Sequence, residues 1–199
     1  MVAFAIEGPK AVGKTETAAR RANAVLHLDT AQDSGVLAAD PSLSSFAPGT
    51  ILIDEWQKHP ESWDYVRRAV DAGAEAGRFL LTGSATPVAG TDTHSGAGRI
   101  LSLRMRPLAL FERAGWEPTV SVRKLFQGSE TITGETGKLL PDYVSAIAGG
   151  GFPEFYEAPA VVRNQQLDSY LARVVDRDLP DQGYTCLLYT SDAADEEDS

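Results

Sequence analysis

Eight consecutive residues, Gly8-Pro9-Lys10-Ala11-Val12-Gly13-Lys14-Thr15, hold two glycines, a lysine and a hydroxyl at the spacing G-x-x-x-x-G-K-[ST]. Gly8 and Gly13 let the backbone curl closely, so that its N–H groups converge on phosphate oxygens. Lys14 puts a compact charge on the β- and γ-phosphates, and Thr15 offers a hydroxyl to Mg²⁺. A helix starting near Lys14, with Glu16 in its first turn, adds its positive dipole end. The chemistry indicated is binding of a nucleoside triphosphate, with Gly8 to Glu16 as the binding run.

A second group carries acids. Ile51-Leu52-Ile53-Asp54-Glu55 reads as a buried strand that ends in two carboxylates. An acid beside the phosphate loop can hold Mg²⁺ through its water shell, which assigns the metal to Thr15 and Asp54. The acid beside it, Glu55, can orient the attacking water or accept its proton. Thr82-Gly83-Ser84 ends another strand, and its hydroxyls are placed to hold that water or sense the γ-phosphate; a plain strand-ending turn explains them as well. Arg99 follows Gly96-Ala97-Gly98 and is a candidate charge on the γ-phosphate, although a surface arginine at a strand start is the simpler account. His27, His59 and His94 show no metal-ligand spacing, and Trp56 and Trp63 read as packing residues.

These residues need a scaffold. Residues 2–6 form a short apolar strand bounded by Glu7-Gly8-Pro9, followed by a helix-forming run from Lys14 to Ala24. Val25 to Leu28 gives a second strand ending at Asp29, and a polar loop punctuated by Pro41 and Pro48-Gly49 follows. Residues 50–54 are the third strand, 63–76 a helix with Trp63, Val66 and Val70 in register, 79–82 the fourth strand and 100–103 the fifth. Strands alternating with helices predict an α/β fold on a parallel sheet covered on both faces. After Pro107 the pattern changes to small helices over 139–148 and 161–175, separated by a turn at Gly149-Gly150-Gly151-Phe152-Pro153. The expected division is an ATPase core over 1–106, a partial helical lid over 107–185, and a tail over 186–199.

Composition narrows the class. The 199 residues are 43% hydrophobic and 23% charged, which is globular and not disordered. No run approaches the ~18 apolar residues of a membrane-spanning helix. A single cysteine excludes a disulfide framework, and a cytoplasmic location is expected. The net charge is −10, but five of the 28 acids lie in CLLYTSDAADEEDS (186–199) with no base; the other 23 stand against 18 basic residues, a balance of −5. No dense Lys/Arg stripe indicates nucleic acid. The tail itself is similar to the translation of a transposase-type sequencing adapter, which would make it foreign and the natural chain longer.

Taken together the motifs resemble prokaryotic AAA-type P-loop ATPases, of the family that pairs this domain with a C-terminal domain of unknown function. The matching stretches are IEGPKAVGKTETA, ILIDEWQ, RFLLTGSATP, HSGAGRI, LRMRPLALFE and GGFPEF, over most of residues 4–155, with RVVDRDL continuing the likeness. The resemblance implies ATP as ligand, Mg²⁺ as cofactor and a P-loop NTPase sandwich on a five-stranded parallel sheet with the P-loop strand central. It implies Glu55 as the water-activating acid and a sensor hydroxyl at Thr82 or Ser84. The turn at Gly151-Phe152-Pro153 is similar to a Gly-x-Pro turn that sets Pro153 near adenine. An effector domain outside this chain and a homo-oligomer are the partners it leaves open. The function expected is ATP hydrolysis driving a regulatory switch. The alternatives are a small-molecule kinase, with Asp29 after the second strand as in shikimate-type kinases, and a nucleotide-binding scaffold with negligible turnover.

Overall fold

The computed structural model describes residues 3–83, 96–116, 120–129, 132–133 and 135–181. The chain divides into two compact units, one formed by Met1–Arg106 with Ser169–Ser199 and the other by Pro107–Asp168.

The first unit is α/β. Its strands β1 (Ala3–Glu7), β2 (Ala24–His27), β3 (Ile51–Asp54), β4 (Phe79–Thr82) and β5 (Ile100–Arg104) form one all-parallel sheet in the order β2-β3-β4-β1-β5. Every residue of β3 is buried, as a continuous apolar run in a parallel sheet requires. The P-loop strand β1 is interior but second from the edge, flanked by β4 and β5; β4, not β1, occupies the centre. That corrects the expected central place of β1.

Helix α1 (Lys14–Ala19) packs against β3 and β4, and α2 (Ala31–Ala39) packs against β2. Helix α3 (Glu61–Asp71) buries Trp63 and Val66, and Trp63 meets Trp56 with ring centroids 4.7 Å apart. Both tryptophans belong to the core with Leu26, Ile53, Phe79 and Leu81.

Two helices are shorter than their composition suggests. α1 stops at Ala19, not Ala24, because Asn23 Oδ1 accepts from Thr50 N–H at 2.9 Å and the chain enters the sheet at Ala24. Sheet pairing there overrides helix propensity. α3 stops at Asp71, not Ala76, where Gly73 takes φ +91° two residues on, beside the α3 end. The segment read as loop after Asp29 contains α2. Thr30 caps it by accepting from Asp33 N–H at 3.3 Å, and only Leu37 is buried.

The second unit is helical: α4 (Val122–Phe126), α5 (Leu140–Gly149), α6 (Pro153–Tyr156) and most of α7 (Ala160–Arg173). α4 was not expected from the sequence. Gly151 is set by a close backbone approach: Leu108 N–H donates to its carbonyl at 2.7 Å, and a Cβ would lie 2.4 Å from Leu108 O. Beyond α7, a π-helical turn at Val174–Asp178 leads into Leu179–Asp181. Among the described residues no helix is long and apolar enough to cross a membrane. The tail over 186–199 lies outside the described residues.

Candidate functional site

Parallel pairing sets His27 beside Asp54, Asp54 beside Thr82 and Thr82 beside Ile6, all near the carboxyl ends of their strands. Neighbouring strands lie ~4.8 Å apart, so side chains of aligned residues on one face meet. Asp54 is the middle of this row. Its Oδ1 accepts from Thr82 Oγ1 at 2.5 Å and from Thr15 Oγ1 at 2.9 Å. His27 Nδ1 lies 3.2 Å from Oδ2, a hydrogen bond when that nitrogen carries the proton. Asp54 and Thr82 are buried. β3 is not the immediate neighbour of β1; the acid reaches the P-loop across the end of β4.

The P-loop itself is held tightly. Gly8 takes φ +154°, Ala11 +60° and Gly13 +94°. A Cβ on Gly8 would sit 2.3 Å from Met105 O, at the end of β5. Val12 is buried, Glu16 is exposed and pairs with Arg20 at 3.2 Å, and α1 begins directly at Lys14. Lys14 is 7% exposed, and its Nζ donates to Gly8 O at 2.9 Å and Pro9 O at 2.7 Å. Burial lowers its pKa from the ordinary value, while the nearby Glu55 and Asp54 charges oppose that shift and Lys10 adds to it. Lys10 instead reaches the Asp178 carboxylate, and Tyr170 Oη donates to its carbonyl at 3.4 Å.

Glu55 follows Asp54 in the left-handed region, at φ 55° and ψ 39°. Its carboxylate accepts from Gln57 Nε2, and Gln57 Oε1 is buried without a partner among the described residues. Gly83 makes room for this arrangement: a Cβ there would lie 2.4 Å from Gln57 Oε1 and 3.0 Å from Trp56 Nε1. The Asp-Glu-Trp-Gln and Thr-Gly stretches are therefore fitted to each other.

The structure thus brings together Lys14, Thr15, Asp54 and Thr82, with Glu55 next in the chain. It does not bring Arg99 to this end of the sheet. Ile100 pairs with Ala3, at the amino end of β1, while the P-loop leaves its carboxyl end. Arg99 Nε donates to Asp71 Oδ1 at 2.7 Å, so the surface-arginine account fits its position. Ser84 lies outside the described residues. Pro153 opens α6 in the second unit. Asp29 is exposed just past β2.

Two residues given no chemical role in the sequence stand at the site. His27 braces Asp54, and α2 braces His27: Asp33 Oδ2 accepts from His27 N–H at 2.8 Å, and Thr30 Oγ1 donates to His27 O at 2.9 Å. Gln57 holds Glu55. For His27 the signal was the register: the last residues of adjacent parallel strands share a row.

Apart from the His27 imidazole, the groups at Asp54 are its own carboxylate and the Thr15 and Thr82 hydroxyls, oxygens that suit a hard cation such as Mg²⁺. Among the described residues no cluster of three or more His, Cys, Asp and Glu forms a metal cage, so such a cation would complete its shell with phosphate and water oxygens.

Comparison with known proteins agrees with this architecture. None of the curated proteins compared with the chain matches it. Residues 2–114, just over half of the chain, match the family model described as AAA domain, and that span takes in the P-loop, Asp54, Glu55, Thr82 and all five strands. The chain belongs to the AAA domain family, a family of nucleotide-binding, ATPase-type domains.

Proposed function

We propose that this chain binds ATP on Gly8 to Glu16, with Mg²⁺ held between Thr15 and Asp54, and hydrolyses it with Glu55 as the water-orienting acid. The observation that carries the reading is the shared hydrogen bond of Thr15 and Asp54, 2.9 Å long, beside a buried lysine. A buried ammonium whose partners among the described residues are two neutral carbonyls is poised to exchange them for phosphate oxygens, which carry opposite charge. Thr82 fixes the Asp54 carboxylate, and the His27 imidazole holds its other oxygen. Bound Mg²⁺ would neutralise charge on the phosphates as they separate. Glu55 lies one residue beyond the metal-side acid, and Gln57 orients its carboxylate. The hydrolytic cycle would serve as a regulatory switch in the cytoplasm for an effector domain or a second copy of the chain.

Single-turnover hydrolysis of ATP tests this. Wild type is expected to release free phosphate without an acceptor substrate. Glu55→Gln is expected to bind ATP and stop at that point, because an amide cannot take the proton. Lys14→Ala should lose roughly ten- to a hundred-fold in ATP affinity, the worth of one charge-assisted contact. Equal hydrolysis by wild type and Glu55→Gln would remove Glu55 from the reaction, and unchanged binding by Lys14→Ala would remove the P-loop assignment.

A further inference from the structure

The second unit contains a cavity of about 200 Å³ whose wall includes Arg113, Trp116, Lys138, Asp142, Tyr156 and Arg163. Three of these are cations, in a chain whose net charge is −10. They converge from separate elements: Arg113 follows the turn at Leu110–Glu112, Lys138 precedes α5, and Arg163 lies in α7. The acid in the wall, Asp142, accepts from Leu139 N–H at 2.8 Å and so caps α5. Among the described residues, none of the three cations forms an ion pair.

Their surroundings hold these charges without neutralising them. Lys138 Nζ stands 5.0 Å from the Trp116 ring centroid, and Arg113 Cζ stands 5.8 Å from that of Tyr156. Arg113 donates to Ala146 O at 3.0 Å and Leu108 O at 3.2 Å, while its Nε is buried with no partner among the described residues. Arg163 Nε likewise is buried with no partner among the described residues. Its guanidinium packs on Gly149, where a Cβ would lie 3.2 Å from Nη1. Three positive side chains that line one small cavity, with no carboxylate paired to any of them among the described residues, favour an anion there.

We propose that this cavity binds a tetrahedral phosphate group, carried either as free phosphate or as a small phosphomonoester. Three cations arriving from different directions match a tetrahedral oxyanion; a planar carboxylate is satisfied by one guanidinium fork. The cavity is below the ~300 Å³ of drug-sized pockets, which limits the ligand to the anion and a short substituent. The site uses none of the P-loop residues and does not depend on the ATPase reading.

Isothermal titration calorimetry on the full chain tests it, with Lys14→Ala as background so that the P-loop contributes little heat. The probes are inorganic phosphate and glycerol 3-phosphate. Saturable binding of either is expected, and the tighter of the two identifies the source as free or esterified phosphate. Arg163→Gln and Lys138→Gln should each weaken binding about tenfold, while Arg163→Lys, which keeps the charge, retains most of it. Lys138 is half-buried and outside the helices, so its variant keeps the fold if Arg163→Gln does not. Absence of saturable binding with both probes, or affinity unchanged in Lys138→Gln and Arg163→Gln alike, overturns the site.

Discussion

Glu55 has φ 55° and ψ 39°, a conformation that a side chain with a Cβ enters only at the expense of ~1–2 kcal/mol. Strain of this kind persists where the surroundings over-determine it, and here it lies at the residue that follows the acid bonded to Thr15. Glu55→Gly should therefore be more stable than Glu55→Ala by about 1 kcal/mol, the reverse of the usual order of the two residues, as urea denaturation would measure. Lys14 gives a second test. Burial lowers its pKa in the folded chain, whereas the unfolded chain keeps the ordinary 10.5. Between the lowered value and 10.5 the unfolded state binds the additional proton, so stability rises with pH in that window. Wild type is expected to gain stability relative to Lys14→Met as pH climbs toward 10.5, and a difference independent of pH would show that Lys14 is not desolvated. The grouping of Lys14 and Thr15 with Asp54, and Glu55 next to it, was legible in the sequence because local spacing alone singles these residues out. His27 and Gln57 were not, since one acts across a strand register and the other across a tight turn against Gly83.

At the scale of elements, all five strands were readable: β3 and β4 are the uninterrupted apolar runs of strands buried in a parallel sheet, and β5, exposed beyond Ile100, still carries apolar residues in a run. Helices α2 and α4 were not. α2 buries only Leu37 and α4 buries nothing, so neither leaves an apolar period to read. Sheet order escaped as well, because pairing β1 with β4 and β5 is decided by residues far apart in sequence. The joint between β1 and β5 makes the element-level prediction. Met105 N–H donates to Glu7 O at 2.7 Å, and Gly8 leaves just enough room for Met105 O. Gly8→Ala is expected to destabilise the fold by about 1–3 kcal/mol, the range for overpacking, and to weaken ATP binding with it. Calorimetric melting together with nucleotide titration would measure both; loss of neither would mean that the loop yields freely.

For the whole molecule, composition predicts that removing Cys186–Ser199 leaves the melting temperature unchanged. The large apolar side chains there are Leu187, Leu188 and Tyr189, worth ~1.5–3 kcal/mol each if buried, against ~1–2 kcal/mol per residue to order the backbone. A fall in melting temperature on deletion would make the segment part of the fold. The place of β1 reaches further. It is the first strand in the chain, yet both of its partners, β4 and β5, come from residues 79–104. As synthesis or refolding proceeds, β1 must wait for the last strands before it can enter the sheet, and pairings of such long sequence separation form slowly. The loop that follows β1 reaches its place beside the row of His27, Asp54 and Thr82, which β2, β3 and β4 form, only when β1 pairs with β4. Nucleotide is then a reporter of completed assembly, recognising the finished sheet and nothing earlier. Mg²⁺-ATP should accordingly slow unfolding, in proportion to the stabilisation it confers, and leave the refolding rate as it was. Stopped-flow chevrons with and without nucleotide would show one arm moving while the other stays.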